Sequence, residues 1–279
     1  MMDRYAVVGH PISHSLSPRI HTGFAEQTGQ DLCYEALLAP LDGFVPTVDS
    51  FRAAGGKGLN ITVPFKSAAW HYAQQHSERA ARAAAVNTLV LDGTVIYGDN
   101  TDGLGLLRDL MVNQGCILSG QRILLMGAGG AAAGVVASLL EQQPAILVIA
   151  NRTASKAREL AERFADLGSV SGCGLDELSG QGFDLVINAT AASLAQQCPE
   201  LPPGVVHAAS GCYDMMYGAE ATPFMRWATA QGAAWTLDGL GMLVEQAAES
   251  FALWRGIRPD TQPVLQRLRA ERSASSVNH

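Results

Sequence analysis

No apolar run in this sequence approaches the roughly 20 residues that a membrane-spanning helix needs. Met1-Met2-Asp3-Arg4 passes straight into a short strand-like run, without the apolar centre of a signal peptide. Basic residues are outnumbered, and the net charge of −7 gives no electrostatic footprint for nucleic acid. Cysteine is sparse: Cys33, Cys116, Cys173, Cys198 and Cys212 are scattered, odd in number and nowhere in C-x-x-C spacing. Neither a zinc site nor a disulfide framework is indicated, and no His/Cys/Asp cluster has ligand spacing, so no metal is expected. His10, His14 and His21 are close in sequence, but Pro11 and Pro18 interrupt the run that a helix-face pair needs, so they are read as structural. Internal repeats and low-complexity tracts are also absent. What remains is a chain expected in the reducing cytoplasm, with a small-molecule substrate and neither nucleic acid nor membrane as partner.

The chain is 279 residues long and 48% hydrophobic, enough for two domains with separate cores. Its organising stretch is Arg122 to Lys156. An apolar run, Ile123 to Met126, leads into Gly127-Ala128-Gly129-Gly130-Ala131-Ala132 and an alanine-rich helical pattern. A second apolar run, Ala145 to Ala150, ends in Asn151-Arg152-Thr153. Strand, glycine turn, helix and strand at this length read as a dinucleotide site, with the helix N–H groups facing a pyrophosphate. An NAD site usually places an acidic residue at the end of the second strand, for the ribose 2′-hydroxyl. Asn151 and Arg152 stand there instead, with Lys156 one turn on. A carboxylate would repel a 2′-phosphate and a guanidinium can clamp it, which favours NADP(H). The competing reading makes Arg152 and Lys156 the start of a solvated helix capped by Thr153.

Elsewhere, strands are expected at 5–8, 32–38 and 59–63, and helices from Pro18, over 44–53, from Pro64 to 73 and over 77–84. A hairpin pairs 86–91 with 94–97, a polar loop spans 98–105, and a helix runs on to 113. Further strands are expected at 169–172, 185–188, 205–208 and 233–237. Helices are expected over 158–164, 222–232 and 239–254, and a frayed tail from Ser273. Alternating strands and helices indicate an α/β protein with mostly parallel sheets.

The first half holds polar clusters at strand ends and in loops, where chemistry usually sits. They are Ser15 and Ser17; Asn60, Thr62 and Lys66; Asn87-Thr88; and Asp99-Asn100-Thr101-Asp102-Gly103. Each has a plainer alternative. Ser17 suits a helix N-cap, Asn60 and Thr62 suit a buried turn, Lys66 suits an exposed surface, and Asp99 and Asp102 suit turns. The residues alone do not choose Asp102 over Asp99.

Taken together, the blocks resemble the shikimate dehydrogenase family from Val7 to about Ala248. They are SHSLSP (13–18), NITVPFK (60–66), AVNTL (85–89), GDNTDG (98–103), GAGGAA (127–132), NRT (151–153), NAT (188–190), YDMMY (213–217), TPF (222–224) and DGLGMLVEQA (238–247). The resemblance implies an α/β catalytic domain, from 1–103 plus 240–279, and a Rossmann-type NADP-binding domain, 104–239, with the active site in the cleft between. It implies reversible NADP(H)-dependent reduction of 3-dehydroshikimate to shikimate, on the way to aromatic amino acids. Lys66 and Asp102 match the family's catalytic pair. Ser15, Ser17, Asn60, Thr62, Asn87, Tyr217 and Gln246 match substrate positions. Gly127, Ala128, Gly129, Gly130, Ala131, Asn151, Arg152, Thr153, Lys156, Thr190 and Gly239 match the cofactor site.

Two departures stand out: Ala133, where family members often carry Arg or Lys, and Ala191-Ala192-Ser193 after the NAT block. Chemically, hydride arriving at a ketone carbon leaves an alkoxide, which needs a proton donor within reach. Lys66 can be that donor and Asp102 can hold it. The alternatives are a paralogue preferring quinate or NAD, and a non-catalytic ligand-binding protein on the same fold. Oligomeric state is expected to be monomer or homodimer.

Overall fold

A computed structural model of the chain describes residues 2–190, 197 and 200–277, for 273–277 the backbone alone. The chain divides into two compact units, Met1–Gly105 with Leu243–Leu268, and Leu106–Met242 with Arg269–His279.

The first unit contains β1 (Asp3–Gly9), α1 (Ser17–Thr28), β2 (Leu32–Leu38), α2 (Phe44–Ala53), β3 (Gly56–Ile61) and α3 (Lys66–Tyr72). These are followed by β4 (Gln75–His76), α4 (Glu78–Ala83), β5 (Thr88–Val90), β6 (Tyr97–Asp99) and the start of α5 (Asp102–Leu107). The six strands form one sheet in the order β2-β1-β3-β5-β6-β4. β1 lies parallel to β2 and β3, while β3–β5 and β5–β6 are antiparallel. Alternation along β1 feeds two cores. Ala6 and Val8 join Phe44, Val48, Phe51, Leu59 and Phe65, whereas Tyr5 and Val7 join Tyr34 and Trp254. A strand buried on both faces reads as a continuous apolar run, as Tyr5–Val8 does.

The second unit carries a π-helical turn (Arg108–Asn113), β7 (Arg122–Met126), α6 (Gly130–Glu141), β8 (Ile146–Asn151), α7 (Ala154–Arg163) and β9 (Val170–Gly174). It continues with β10 (Leu185–Asn188), β11 (Gly211–Asp214), α8 (Pro223–Ala230) and β12 (Trp235–Asp238). Its sheet is wholly parallel, in the order β12-β11-β10-β7-β8-β9. Renumbered within the unit this is 3-2-1-4-5-6 from the β9 edge, the order of the doubly wound dinucleotide-binding fold. Helices α9 (Leu240–Arg255) and α10 (Gln262–Val277) complete the chain.

Several sequence expectations need correction. The run Val205–Ala208 is no strand. Val205 and Val206 are buried against Phe183, Leu178 and Phe224, so their apolar character serves packing. The fifth strand is β11, buried throughout and paired with β10. Gly56 to Gly58, ahead of the strand expected at 59–63, belong to β3. A Cβ at Gly58 would come within 2.4 Å of Trp254 Nε1, so this glycine provides clearance rather than a bend. The hairpin pairs Leu89 with Gly98, which draws Gly98 and Asp99 out of the expected loop and into β6. Helix α10 was not anticipated, and its backbone continues to Val277 where fraying was expected. From Arg269 it groups with the second unit, where Arg272 ion-pairs with Asp238.

Candidate active site

Lys66 and Asp102 each open a helix, α3 and α5, and the fold of the first unit brings them together. The Lys66 ammonium donates to Asp102 Oδ2, with the two side chains only 15% and 7% exposed. Asn87 precedes β5 and closes the group: its Nδ2 donates to Asp102 Oδ1 at 2.9 Å and to Gln246 Oε1 at 3.2 Å. Val86 N–H donates to the Lys66 carbonyl at 2.9 Å, which fixes the start of α3 beside Asn87. A carboxylate in the first turn of a helix also faces the favourable end of the helix dipole.

Residue types by themselves left Asp99 and Asp102 equivalent, the family resemblance implied Asp102, and the structure separates the two. Asp99 is clamped by Arg79, whose Nε donates to Oδ1 at 2.8 Å, and by the Ser77 hydroxyl; it also accepts from Asn100 N–H at 2.7 Å. That set ties β6 to the start of α4. Asp102 alone of the two meets a lysine.

Asn60 is buried in β3 and its amide is saturated. Oδ1 accepts from Tyr34 OH at 2.7 Å and lies 3.1 Å from His21 Nε2. Nδ2 donates to Ser250 Oγ at 2.9 Å and Thr88 Oγ1 at 3.2 Å, with the Asn87 carbonyl at 3.4 Å. Two lone pairs and two hydrogens are thereby used. The Asn60 amide ties β3 to Tyr34, Thr88 and Ser250.

Thr62 lies just past β3, half-buried, its methyl group 2.4 Å from where a Gly9 Cβ would stand. Ser17 is not the cap of α1. Leu16 occupies that position, and Ser17 N–H donates to Ser15 Oγ at 3.3 Å. The buried Ser17 hydroxyl faces Tyr34, whose phenol is pushed well above its ordinary range by burial and eased back by Ser17.

In the second unit, the chain turns at Gly127 with φ +110°, a backbone state L side chains resist. Helix α6 starts after Gly129 with no side chain capping it, and a Cβ at Gly129 would meet nothing within 4 Å. Uncapped helix N–H groups beneath open space suit a pyrophosphate, so Gly127, Ala128, Gly129, Gly130 and Ala131 fit the group expected there. Asn151 Nδ2 donates to the Thr153 carbonyl at 3.0 Å and holds the turn after β8. Arg152, Thr153 and Lys156 are exposed.

Thr190 donates to Asn188 Oδ1 through both N–H and hydroxyl, at 3.1 and 2.7 Å, and Asn188 donates to buried Asp214 at 3.0 Å. Gly239 packs so closely that a Cβ would fall 2.3 Å from the Met215 carbonyl oxygen. Tyr217 is half-buried beyond β11. The Ala191-Ala192-Ser193 departure lies outside the described residues.

Family models match three consecutive stretches of this chain. Residues 7–89 match the shikimate dehydrogenase substrate binding domain, 111–196 match shikimate/quinate 5-dehydrogenase, and 239–269 match the shikimate 5′-dehydrogenase C-terminal domain. A shikimate dehydrogenase (NADP(+)) of Nitrosospira multiformis is 59% identical over 270 residues, 97% of this chain and 98% of that one. The chain belongs to the shikimate dehydrogenase family. Another shikimate dehydrogenase (NADP(+)), from Alkalilimnicola ehrlichii, is 56% identical over 97% of this chain and 100% of its own length. Among solved structures, shikimate 5-dehydrogenase from Thermus thermophilus in complex with NADP(H) and shikimate is 33% identical, with a TM-score of 0.84 over 96% of this chain and 99% of that one.

Reading the family's blocks alone misses three buried residues behind the site, Ser250, Tyr34 and His21, and gives no role to Thr88 and Thr101 within them. Ser250 had a signal. It stands four residues after Gln246 on a mostly apolar helix, so both face the same way. Tyr34 and His21 had none, because their contacts cross between elements.

Proposed function

We propose that this chain catalyses the reversible NADP(H)-dependent interconversion of 3-dehydroshikimate and shikimate. The observation that carries the reading is the Lys66–Asp102 pair, mostly shielded from water and braced by Asn87. Bound NADPH would supply the hydride. Lys66 then donates a proton to the substrate oxygen as charge develops on it. Asp102 holds the ammonium in place and accepts from a neighbouring substrate hydroxyl. Ser15, Ser17, Thr62, Asn87, Tyr217 and Gln246 bind the substrate's carboxylate and hydroxyls.

On the cofactor side, the uncapped start of α6 holds the pyrophosphate. Arg152, with Lys156 beside it, pairs with the 2′-phosphate. Thr190 and Gly239 shape the rest of that site. Cys33, Cys116, Cys173 and Cys212 are free thiols, which supports a reducing cytoplasm as the setting. No helix of the described residues is long and apolar enough to cross a membrane. We assign a monomer or homodimer.

The test is direct. Purified protein is mixed with NADP+ and shikimate, and NADPH absorbance is followed, with quinate and NAD+ in parallel. NADPH formation from shikimate is expected. Turnover only with quinate or NAD+ would identify a paralogue, and no turnover with any pair would leave a ligand-binding protein.

A further inference from the structure

His21 is 1% exposed and lies in α1 among aromatic rings. Its imidazole stacks on Tyr34 at 4.1 Å between centroids and 4° between planes. Phe24 meets its edge at 5.9 Å, and Phe251 and Trp254 of α9 stand 6.2 and 5.4 Å away. Aromatic packing alone would suit a phenylalanine, yet a histidine occupies the position and one of its nitrogens reaches Asn60. The other, Nδ1, is buried without a hydrogen-bond partner among the described residues.

These two facts fix a proton. The Asn60 NH2 must face Ser250, Thr88 and the Asn87 carbonyl, because that carbonyl can only accept. Asn60 therefore presents its oxygen to the ring, and His21 must carry its hydrogen on Nε2. The direction then propagates. Asn60 donates to Thr88 Oγ1, and Thr88 Oγ1 donates to Asn87 Oδ1 at 2.8 Å. Thr101 N–H donates to the same oxygen at 2.9 Å. Asn87 is left with its NH2 towards Asp102 Oδ1. With the hydrogen on Nδ1 instead, the ring would favour a flipped Asn60, which would set its oxygen against the Asn87 carbonyl.

We propose that His21 is a positioning residue: as an Nε2–H donor it holds the Asn60 amide in the orientation the Asn87 carbonyl requires, and so steadies the hydrogen-bond chain that ends on Asp102. The proposal rests on the reading of Lys66 and Asp102 as the reacting pair. Burial keeps the ring neutral, lowering its pKa from 6.5 to about 3, with the Asn60 hydrogen bond opposing it. Tyr34 of β2 is the titratable group packed against the ring. Asn60 of β3, Phe24 of α1, and Phe251 and Trp254 of α9 carry no ionisable group.

Two variants and one spectrum test it. His21→Phe keeps the ring and deletes the donor; His21→Gln keeps a donor. With shikimate and NADP+, His21→Phe should lower kcat about threefold to tenfold, the worth of one hydrogen bond. It should also shift the acid limb of the kcat pH profile, with KM for NADP+ unchanged. His21→Gln should restore most of the rate and the profile. Equal kcat and equal profiles for both variants and the parent would overturn the proposal, whatever their thermal midpoints. Nitrogen-15 NMR of the parent's histidine rings reads the tautomer directly and needs neither turnover nor a stable variant. A hydrogen on Nδ1, or a protonated ring at neutral pH, would overturn the proposal. Absence of shikimate turnover in the parent would instead sink the reaction assignment, leaving the tautomer measurement to judge His21.

Discussion

Replacing Lys66 with methionine separates chemistry from stability, because the structure assigns a magnitude to each. The substitution keeps the length of the side chain and removes the proton donor. A positioned acid contributes roughly 10²–10⁴-fold, so kcat should fall by that order while KM for NADP+ holds. Stability should fall as well. The lost ammonium is the partner of Asp102 Oδ2, and Asp102 is 7% exposed. Orphaning one member of a buried pair costs about 3–5 kcal/mol. The Asn87 bond to Oδ1 survives and Lys66 is itself 15% exposed, which places the loss at the low end, about 3 kcal/mol. Against a typical reserve of about 5–15 kcal/mol this is a visible shift in the urea midpoint.

Adding Asp102→Asn to Lys66→Met removes the stranded charge. The double variant should recover most of the stability and none of the turnover, and its kcat should be barely below that of the worse single variant, as for residues that act as one unit. The assays are urea denaturation and steady-state kinetics on the parent, both singles and the double. Near-normal turnover in Lys66→Met would remove lysine from the mechanism. Turnover that returns in the double variant together with stability would show that the pair serves only the fold.

Two further outcomes are expected. Arg152→Ala should raise KM for NADP+ and leave that for NAD+ nearly unchanged, since NAD lacks the 2′-phosphate; equal losses for both would make Arg152 structural. Acid should expose His21. Its folded pKa near 3 lies below its ordinary 6.5, so the unfolded chain takes up a proton that the folded one refuses, and stability falls as pH drops through that window. Asp3 and Glu177 are held below ordinary values of 3.8 and 4.5, by the Arg255 contact and the Gly174 N–H respectively, and their contributions are lost only below those values. Between pH 6.5 and 4.5 the His21 loss should therefore come to about 2 kcal/mol, at about 1.36 kcal/mol per unit. Denaturation midpoints across this range, compared with His21→Phe, measure it; identical slopes would refute it.

Local signals carried much of the fold. β2 at Leu32–Leu38, α2 at Phe44–Ala53 and β10 at Leu185–Asn188 fall where their residue patterns placed them. The glycine turn between β7 and α6 was readable because strand, turn and helix are contiguous in the chain. Errors came where one residue pattern has two physical causes. Val205 and Val206 are apolar for packing, and Gly58 is small for clearance, yet in sequence they look like a strand and a turn.

What the sequence determined by itself, then, was the alternation that makes an α/β chain, the glycine turn between β7 and α6, the basic residue in place of an acid after β8, and the ordered blocks that carry the family. Family resemblance aside, tertiary structure decided which aspartate meets Lys66, because Asp99 and Asp102 sit three residues apart in equivalent company. Only the packing of Arg79 and Ser77 against Asp99 leaves Asp102 for the lysine. It also decided that Asn60 is saturated and His21 is a donor. Their partners, Tyr34, Thr88 and Ser250, come from β2, β5 and α9, and no local spacing encodes a hydrogen bond between residues 190 positions apart.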